Sequence, residues 1–341
     1  MSVRVVAPCR LHFGLFHVPV DGLTHHPDGR PVRKFGGLGL MIDQPCVTVK
    51  VIDVVGPRSI SGTLAMRATA VLYHLEKTCA IAPFITYMKA DGPPEHVGLG
   101  VGTALGMAIA FVANPEHWAF DHVFSSEALT DERLARLAGR GKRSGIGVEG
   151  FSNGGFIADD GKVSDEELPY IADRLDFPAP WRVVLVRPPT PPVWYGDRER
   201  TAFARTRPAD RALSLTDRLR SLAYDAVVPA VRNADFDTFA ASIFEFNRLA
   251  GEPFHDDQGG PYASPEVACV IDELIEMGAV GVGQSSWGPT VFAFARSADE
   301  ADHLAKRARE RFSSATDVTV TAANNTGARR ETGERFDTLS P

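Results

Sequence analysis

Cysteine is scarce in this 341-residue chain: Cys9, Cys46, Cys79 and Cys269 are scattered, with no C-x-x-C pair. That spacing supports neither a disulfide framework nor a zinc site, and it points to a reducing compartment. No apolar run reaches the roughly 18 residues that span a bilayer. The opening MSVRVVAPCR holds no apolar signal-peptide core. The expectation is therefore a cytoplasmic protein, and a net charge of −7 argues against a nucleic-acid or membrane partner. H-E-x-x-H and G-x-S-x-G are absent, which removes support for metalloprotease and α/β-hydrolase chemistry. Lysine is also rare, 7 residues against 29 arginines. Either genome composition accounts for that bias, or some arginines face phosphates and carboxylates, which a guanidinium binds in a bidentate fork.

Glycine is plentiful, 31 residues, and much of it clusters. The first cluster is Gly98-Leu99-Gly100-Val101-Gly102-Thr103, followed by the small and apolar run ALGMAIAFVA. A helix apolar all round is a buried one. Starting straight after a glycine turn, its free N–H groups form a ready anion site. A plain tight turn feeding a core helix fits the same residues. The second cluster, Gly139-Arg140-Gly141-Lys142-Arg143-Ser144-Gly145-Ile146-Gly147, sets three cations among four glycines. Such glycines let backbone approach a ligand closely. The third is GAVGVGQSSWGP, Gly278 to Pro289.

The remaining pattern sets the architecture. Strands are expected over 3–7, 47–55, 82–89, 156–158, 181–186, 290–295 and 318–321, and helices over 62–78, 103–113, 212–224, 236–249, 265–277 and 298–311. The length suggests two domains at about 150 residues each. The proline run Pro188-Pro189-Thr190-Pro191-Pro192 marks the boundary, giving 1–190 with phosphate-binding glycine loops and 191–341 with the GQSSWGPT loop. Helix and strand alternate in the second part, which suggests an α+β layer rather than a doubly wound sheet.

These motifs resemble the superfamily of galactokinase, homoserine kinase, mevalonate kinase and phosphomevalonate kinase. More closely they resemble a non-kinase branch, the β-ribofuranosylaminobenzene 5′-phosphate synthases of methanopterin biosynthesis. The matching segments are Pro8 to Leu15 (PCRLHFGL), Gly36 to Leu40, Gly98 to Thr103, Gly139 to Gly147, Gly154 to Ile157 and Gly283 to Thr290. Two positions depart from the pattern. Gly147 stands where many of the kinases carry a catalytic aspartate, with Glu149 two residues on as a conceivable substitute. Val101 stands where the synthases often carry serine.

The resemblance implies a kinase-like two-domain α+β fold, an N-terminal ribosomal-protein-S5-like domain and a C-terminal ferredoxin-like layer. It implies a pentosyltransferase condensing 5-phosphoribosyl-1-pyrophosphate with 4-aminobenzoate or 4-hydroxybenzoate, losing carbon dioxide and pyrophosphate. Mg²⁺ and a homodimer come with that expectation. His12, Arg10 and Arg143 are the candidate catalytic residues. Gly98, Gly100, Gly102, Thr103, Arg140, Lys142 and Ser144 are candidates for the phosphates. Ser285, Ser286 and Gly288 would close the pocket, Lys34 would meet a carboxylate or the 5-phosphate, and Trp287 or Trp194 would wall an aryl slot. An ATP-dependent small-molecule kinase and a non-catalytic binding paralogue are the alternatives.

Overall fold

The computed structural model describes residues 2–20, 22–52, 57–79, 85, 87–113, 130–204 and 209–333. Eleven strands are present among them: β1 (Ser2–His17), β2 (Phe35–Ile52), β3 (Ser59–Ser61), β4 (Tyr87–Asp91), β5 (Phe156–Asp159), β6 (Ile171–Leu175), β7 (Arg182–Arg187), β8 (Val280–Gln284), β9 (Val291–Ala295), β10 (Asp317–Thr321) and β11 (Arg329–Gly333). They form two sheets, one of seven strands and one of four. Residues 53–55 of one expected strand and 82–84 and 86 of another lie outside the described residues; residues 87–89 of the latter fall in β4.

The first sheet is organised by a long antiparallel hairpin, β1 on β2, with β11 on the outer edge of β1. β2 is long enough to serve two neighbours: its first half pairs β5 and its second half pairs β4. The strand expected at 3–7 thus continues to His17. Its core face carries Cys9, Leu11 and Phe13, all fully buried, at period two. Arg10 and His12 alternate with them onto the opposite face. A register shift between His12 and Gly14 then breaks the alternation where the chain enters the cavity described below.

The second sheet, in the order β10-β7-β9-β8, is antiparallel and covered on both faces. Strict alternation sorts its side chains. Val183, Leu185, Phe292 and Phe294 join the main core with the Phe236–Gly251 helix, whose Phe239, Ile243 and Phe246 meet them there. Val184, Val186, Val291 and Ala293 join a second core beneath the Pro265–Glu276 and Ala298–Arg311 helices. The aromatic contacts of that first face are edge-on, as between Phe239 and Phe294, 4.8 Å between centroids.

The α+β architecture with two sheets is therefore the one expected. The change of sheet falls earlier than the proline run, because β7 belongs to the second sheet. The main core runs without a break across both sheets. Among the described residues no helix is long and apolar enough to cross a membrane. The buried Val101–Val112 helix lies under the first sheet, with ten of its twelve residues inside.

Candidate active site

The three glycine clusters and β1 converge on one cleft. Arg10 N–H donates to Leu99 O (3.0 Å), and Ser286 N–H donates to His12 O (2.8 Å). Ser285 Oγ donates to Gly98 O (2.7 Å) and accepts from His12 N–H (3.1 Å), while Thr290 Oγ1 donates to Val97 O (2.6 Å). Gly98 is needed at that seam: a Cβ there would lie 2.3 Å from Ser285 O. Ser285 is fully buried and spends its hydroxyl on the seam, so it joins the two loops rather than facing a ligand. Gly288 turns the same loop.

Between these elements lies a cavity of about 310 Å³, within the size range of small-molecule sites. One wall is basic. Arg10, Arg140, Lys142 and Arg143 line it with Thr103 and Ser144. Burial, together with Arg143 close by, presses Arg10 down to about 10, so it stays cationic at neutral pH. Burial, then Arg67, lowers Arg140 as well. The Nε–H groups of Arg10 and Arg140 are shut from solvent and have no hydrogen-bond partner. Buried donors of this kind are uncommon in folded proteins, and four cations crowded around one lining carboxylate suit an anionic ligand.

Behind the basic wall, Asp159 is fully buried and accepts from Gly145 N–H (2.7 Å) and Gly161 N–H (2.8 Å). Its carboxyl is raised to about 6 by burial, against those hydrogen bonds. It anchors the start of the Ile146–Asn153 helix and with it the basic loop. Sequence reasoning missed this role, for which an aspartate at the end of a short strand gives no signal.

The other wall is aromatic and amide. Trp287, Phe254, Phe203 and Tyr262 line it. Phe254 and Phe203 meet Trp287 edge-on at 4.5 and 5.6 Å, and Trp194 stacks on Trp287 at 5.5 Å. Trp194 does not itself line the cavity; its indole N–H donates to Ala263 O (2.8 Å). Arg143 joins the two walls, its guanidinium 5.2 Å from the Phe203 ring centre. Asn247 and Gln284 hold this wall in register. Asn247 Nδ2 donates to Phe13 O (2.6 Å) and Gln284 O (2.8 Å), and its Oδ1 accepts from Gln284 N–H (2.8 Å). Gln284 Oε1 accepts from Ala263 N–H (2.7 Å), and its Nε2 donates to Ser286 O (2.7 Å).

His12 is 5% exposed and lines the cavity at the foot of the basic wall. Burial, then Arg10 and Arg143, lowers its imidazole to about 3, so it is neutral near pH 7. Lys34, by contrast, is placed elsewhere. It bridges to Lys162 at the loop end of the hairpin, 3.7 Å from Asp165, and does not line the cavity. Gly98, Gly100 and Gly102 shape the lining without forming it. Gly100 has φ +68°, and a Cβ there would lie 2.7 Å from Arg10 Cγ. Thr103 N–H is already taken by Gly100 O (2.9 Å). The helix start thus seats Arg10 and Arg140, and these arginines, rather than its N–H groups, face the cavity.

The two departures also find a place. A Cβ on Gly147 would lie 2.9 Å from Thr103 Cγ2 and 3.0 Å from Arg10 Nη1, so those side chains take the room an aspartate would need. Glu149 does not substitute for one: it lies outside the cavity lining, and Asn153 donates to its Oε1 (2.8 Å). Val101 is 2% exposed and belongs to the main core, away from the lining.

Comparison with known proteins agrees with this fold. Residues 227–314 match the family described as GHMP kinases C terminal. A beta-ribofuranosylphenol 5′-phosphate synthase from Methanothermobacter thermautotrophicus is 32% identical over 59% of the chain and 60% of its own length, so that match spans less than two thirds of the relative. Proteins of the same name from Archaeoglobus fulgidus and Methanocaldococcus jannaschii are 27% and 25% identical, over 86% and 95% of the chain and 88% and 98% of their own lengths. In fold, homoserine kinase from Cytophaga hutchinsonii is similar at TM-score 0.62, 16% identity and 97% of both chains. Mevalonate diphosphate decarboxylase from Staphylococcus aureus is similar at TM-score 0.62, 13% identity, 97% of this chain and 98% of that one. The chain thus has a GHMP-kinase-like fold and a matched C-terminal segment, and over most of its length it is similar to proteins named as synthases rather than kinases.

Proposed function

We propose that the chain is a decarboxylating pentosyltransferase that joins the ring of a para-substituted benzoate to 5-phosphoribosyl-1-pyrophosphate, in the biosynthesis of a methanopterin-type cofactor. The observation that carries this reading is the pairing of walls: Arg10 and Arg140, half-buried and with unpartnered Nε–H groups, line a cavity whose other side is Trp287, Phe254 and Phe203. The printed name of the sequence relatives, a ribofuranosylphenol phosphate synthase, supports 4-hydroxybenzoate as the first substrate to test, with 4-aminobenzoate beside it.

The chemistry asks little covalent work of the protein. Pyrophosphate leaves C1 of the ribose with its bonding electron pair, and positive charge develops at C1. The ring carbon bearing the carboxylate attacks C1. The carboxylate then leaves as carbon dioxide, and its electron pair restores the aromatic ring. No side-chain nucleophile is needed. Arg10, Arg140 and Arg143 stabilise the departing pyrophosphate, a role in which one well-placed donor is worth about 10²–10³ in rate. Trp287 and Phe254 hold the ring against C1, and this placement replaces an encounter in solution. His12, kept neutral by burial and the arginines, accepts a hydrogen bond from the para hydroxyl or amino group and so enriches the ring.

Mg²⁺ belongs to this proposal as part of the pyrophosphate substrate. Among the described residues no group of three His, Cys, Asp or Glu can hold a metal, and Glu199 is the one carboxylate in the cavity lining, already paired with Arg143. The described residues do not form a Mg²⁺ cage, and no step is assigned to the ion.

Carboxyl-labelled 4-hydroxybenzoate and 4-aminobenzoate, incubated with the protein, 5-phosphoribosyl-1-pyrophosphate and Mg²⁺, test the reading. Labelled carbon dioxide that depends on the phosphoribosyl donor is expected from at least one of them. No release from either overturns it. The Gly147 and Glu149 geometry leaves the kinase alternative without a carboxylate at the place where many of the kinases carry their aspartate.

A further inference from the structure

Glu199 is out of character in its surroundings. It is the one acidic side chain among the described residues that line the cavity, it is 19% exposed, and it sits on the Asp197–Ala204 helix facing Arg10, Arg140, Lys142 and Arg143. A carboxylate beside a pyrophosphate site opposes the ligand by like charge. It is held there all the same, by two hydrogen bonds from Arg143, Nη1 to Oε1 at 2.5 Å and Nη2 to Oε2 at 3.1 Å. A substrate that carried only anionic groups would gain nothing from it.

The phosphoribosyl donor carries something else: a vicinal pair of ribose hydroxyls, the donor groups of an otherwise anionic molecule. Most polar groups of the lining cannot receive them with charge. The arginines and Lys142 are donors only. Asn247 and Gln284 spend their amide oxygens on backbone N–H groups, and Ser144 Oγ accepts from Ile146 N–H (3.2 Å). A carboxylate has about four lone-pair sites, so Glu199 can keep the Arg143 fork and still accept two further bonds.

Resting on the phosphoribosyl reading above, we propose that Glu199 recognises the 2′,3′-diol of the sugar and is the residue that distinguishes ribose from deoxyribose. The sugar therefore lies at the junction of the two walls, where Arg143 also covers Phe203.

Ribose 5-phosphate and 2-deoxyribose 5-phosphate, neither of which has a leaving group, provide the test by titration calorimetry. Hydrogen bonds to charged groups carry about 1.5–3 kcal/mol, roughly tenfold or more in affinity. The protein as it exists is expected to prefer ribose 5-phosphate by about tenfold or more. Glu199→Gln should narrow that preference and Glu199→Ala should remove it, while both variants keep their affinity for inorganic pyrophosphate. A preference unchanged in Glu199→Ala overturns the assignment, as does an equal loss of affinity for both sugars, which would make Glu199 a support for Arg143 alone. If Glu199→Ala loses pyrophosphate binding through misfolding, Glu199→Gln decides by the same preference. Failure of the unmodified protein to bind either sugar phosphate overturns the phosphoribosyl reading itself.

Discussion

The two walls of the cavity reach their order by opposite means. The aromatic and amide wall is largely satisfied without a ligand: Asn247 and Gln284 have partners for their amide groups, Trp287 has three aromatic neighbours, and the one buried polar atom left over there among the described residues is Gln258 Oε1. The basic wall is left incomplete, with two guanidinium Nε–H groups unpartnered and two arginines pushed down by burial. The satisfied wall sets shape before any substrate arrives. The incomplete wall holds its binding energy for an anion. That division suits a reaction in which the acceptor ring must be placed and a leaving group must be stabilised as its charge grows.

The largest effect should come from the incomplete side. Arg10→Ala is expected to slow carbon dioxide release by about 10²–10³, the range for losing one such electrostatic donor. Its affinity for pyrophosphate should fall in parallel. A loss confined to the benzoate KM would break the division. Trp287→Ala is the mirror experiment. A tenfold to hundredfold rise in benzoate KM is expected, with pyrophosphate affinity within about twofold of the parent. If pyrophosphate binding collapses as well, the walls are not separate.

Acid sharpens the contrast more gently. His12 is held near 3, and His17 is held near 4 by burial and by His26. Both folded values lie below the usual histidine value of about 6.5. Their stabilising contribution is therefore complete above about pH 6.5 and is lost as pH falls toward 3–4, at about 1.4 kcal/mol per pH unit for each histidine. Asp159, raised to about 6, acts in the opposite sense, since its contribution is present below pH 3.8 and lost as pH rises through 6. Urea midpoints between pH 7 and 4 should fall, and His12→Gln should flatten that fall. A slope unchanged in His12→Gln would remove the histidine from the account. The smallest effect belongs to Val101→Ser, placed in the core at a cost of about 1–3 kcal/mol. Thermal melting should register that cost, while carbon dioxide release per folded molecule stays at the parent rate. A faster variant would mean that the helix start touches substrate after all.

Local chemistry was readable from the chain alone. The cations of 140–143 stood out by their glycine spacing, His12 and Trp287 came with the family resemblance, and all of them line the cavity. What escaped was long-range. Asn247 reads as one polar residue in the apolar stripe of Phe246 and Leu249, and its partners Phe13 and Gln284 are 234 and 37 positions away. Glu199 lies in a charged stretch, DRER, that reads as a solvated face. Lys34 sits near the right motif, yet the hairpin turns it toward Asp165. The strand at β8 was hidden because its glycines read as a loop; Gly283 is tolerated there since a Cβ would strike Asn247 Oδ1 at 2.4 Å.

The unbroken core beneath both sheets has a thermodynamic consequence for anyone measuring this protein. With no seam along which the halves can part, the chain is expected to melt in a single transition. Occupancy of the cleft then registers in the whole molecule rather than in one lobe. A ligand at one hundred times its dissociation constant adds about 2.7 kcal/mol to the folded state. The midpoint of one melting curve thus becomes a balance on which pyrophosphates, sugar phosphates and benzoates can each be weighed.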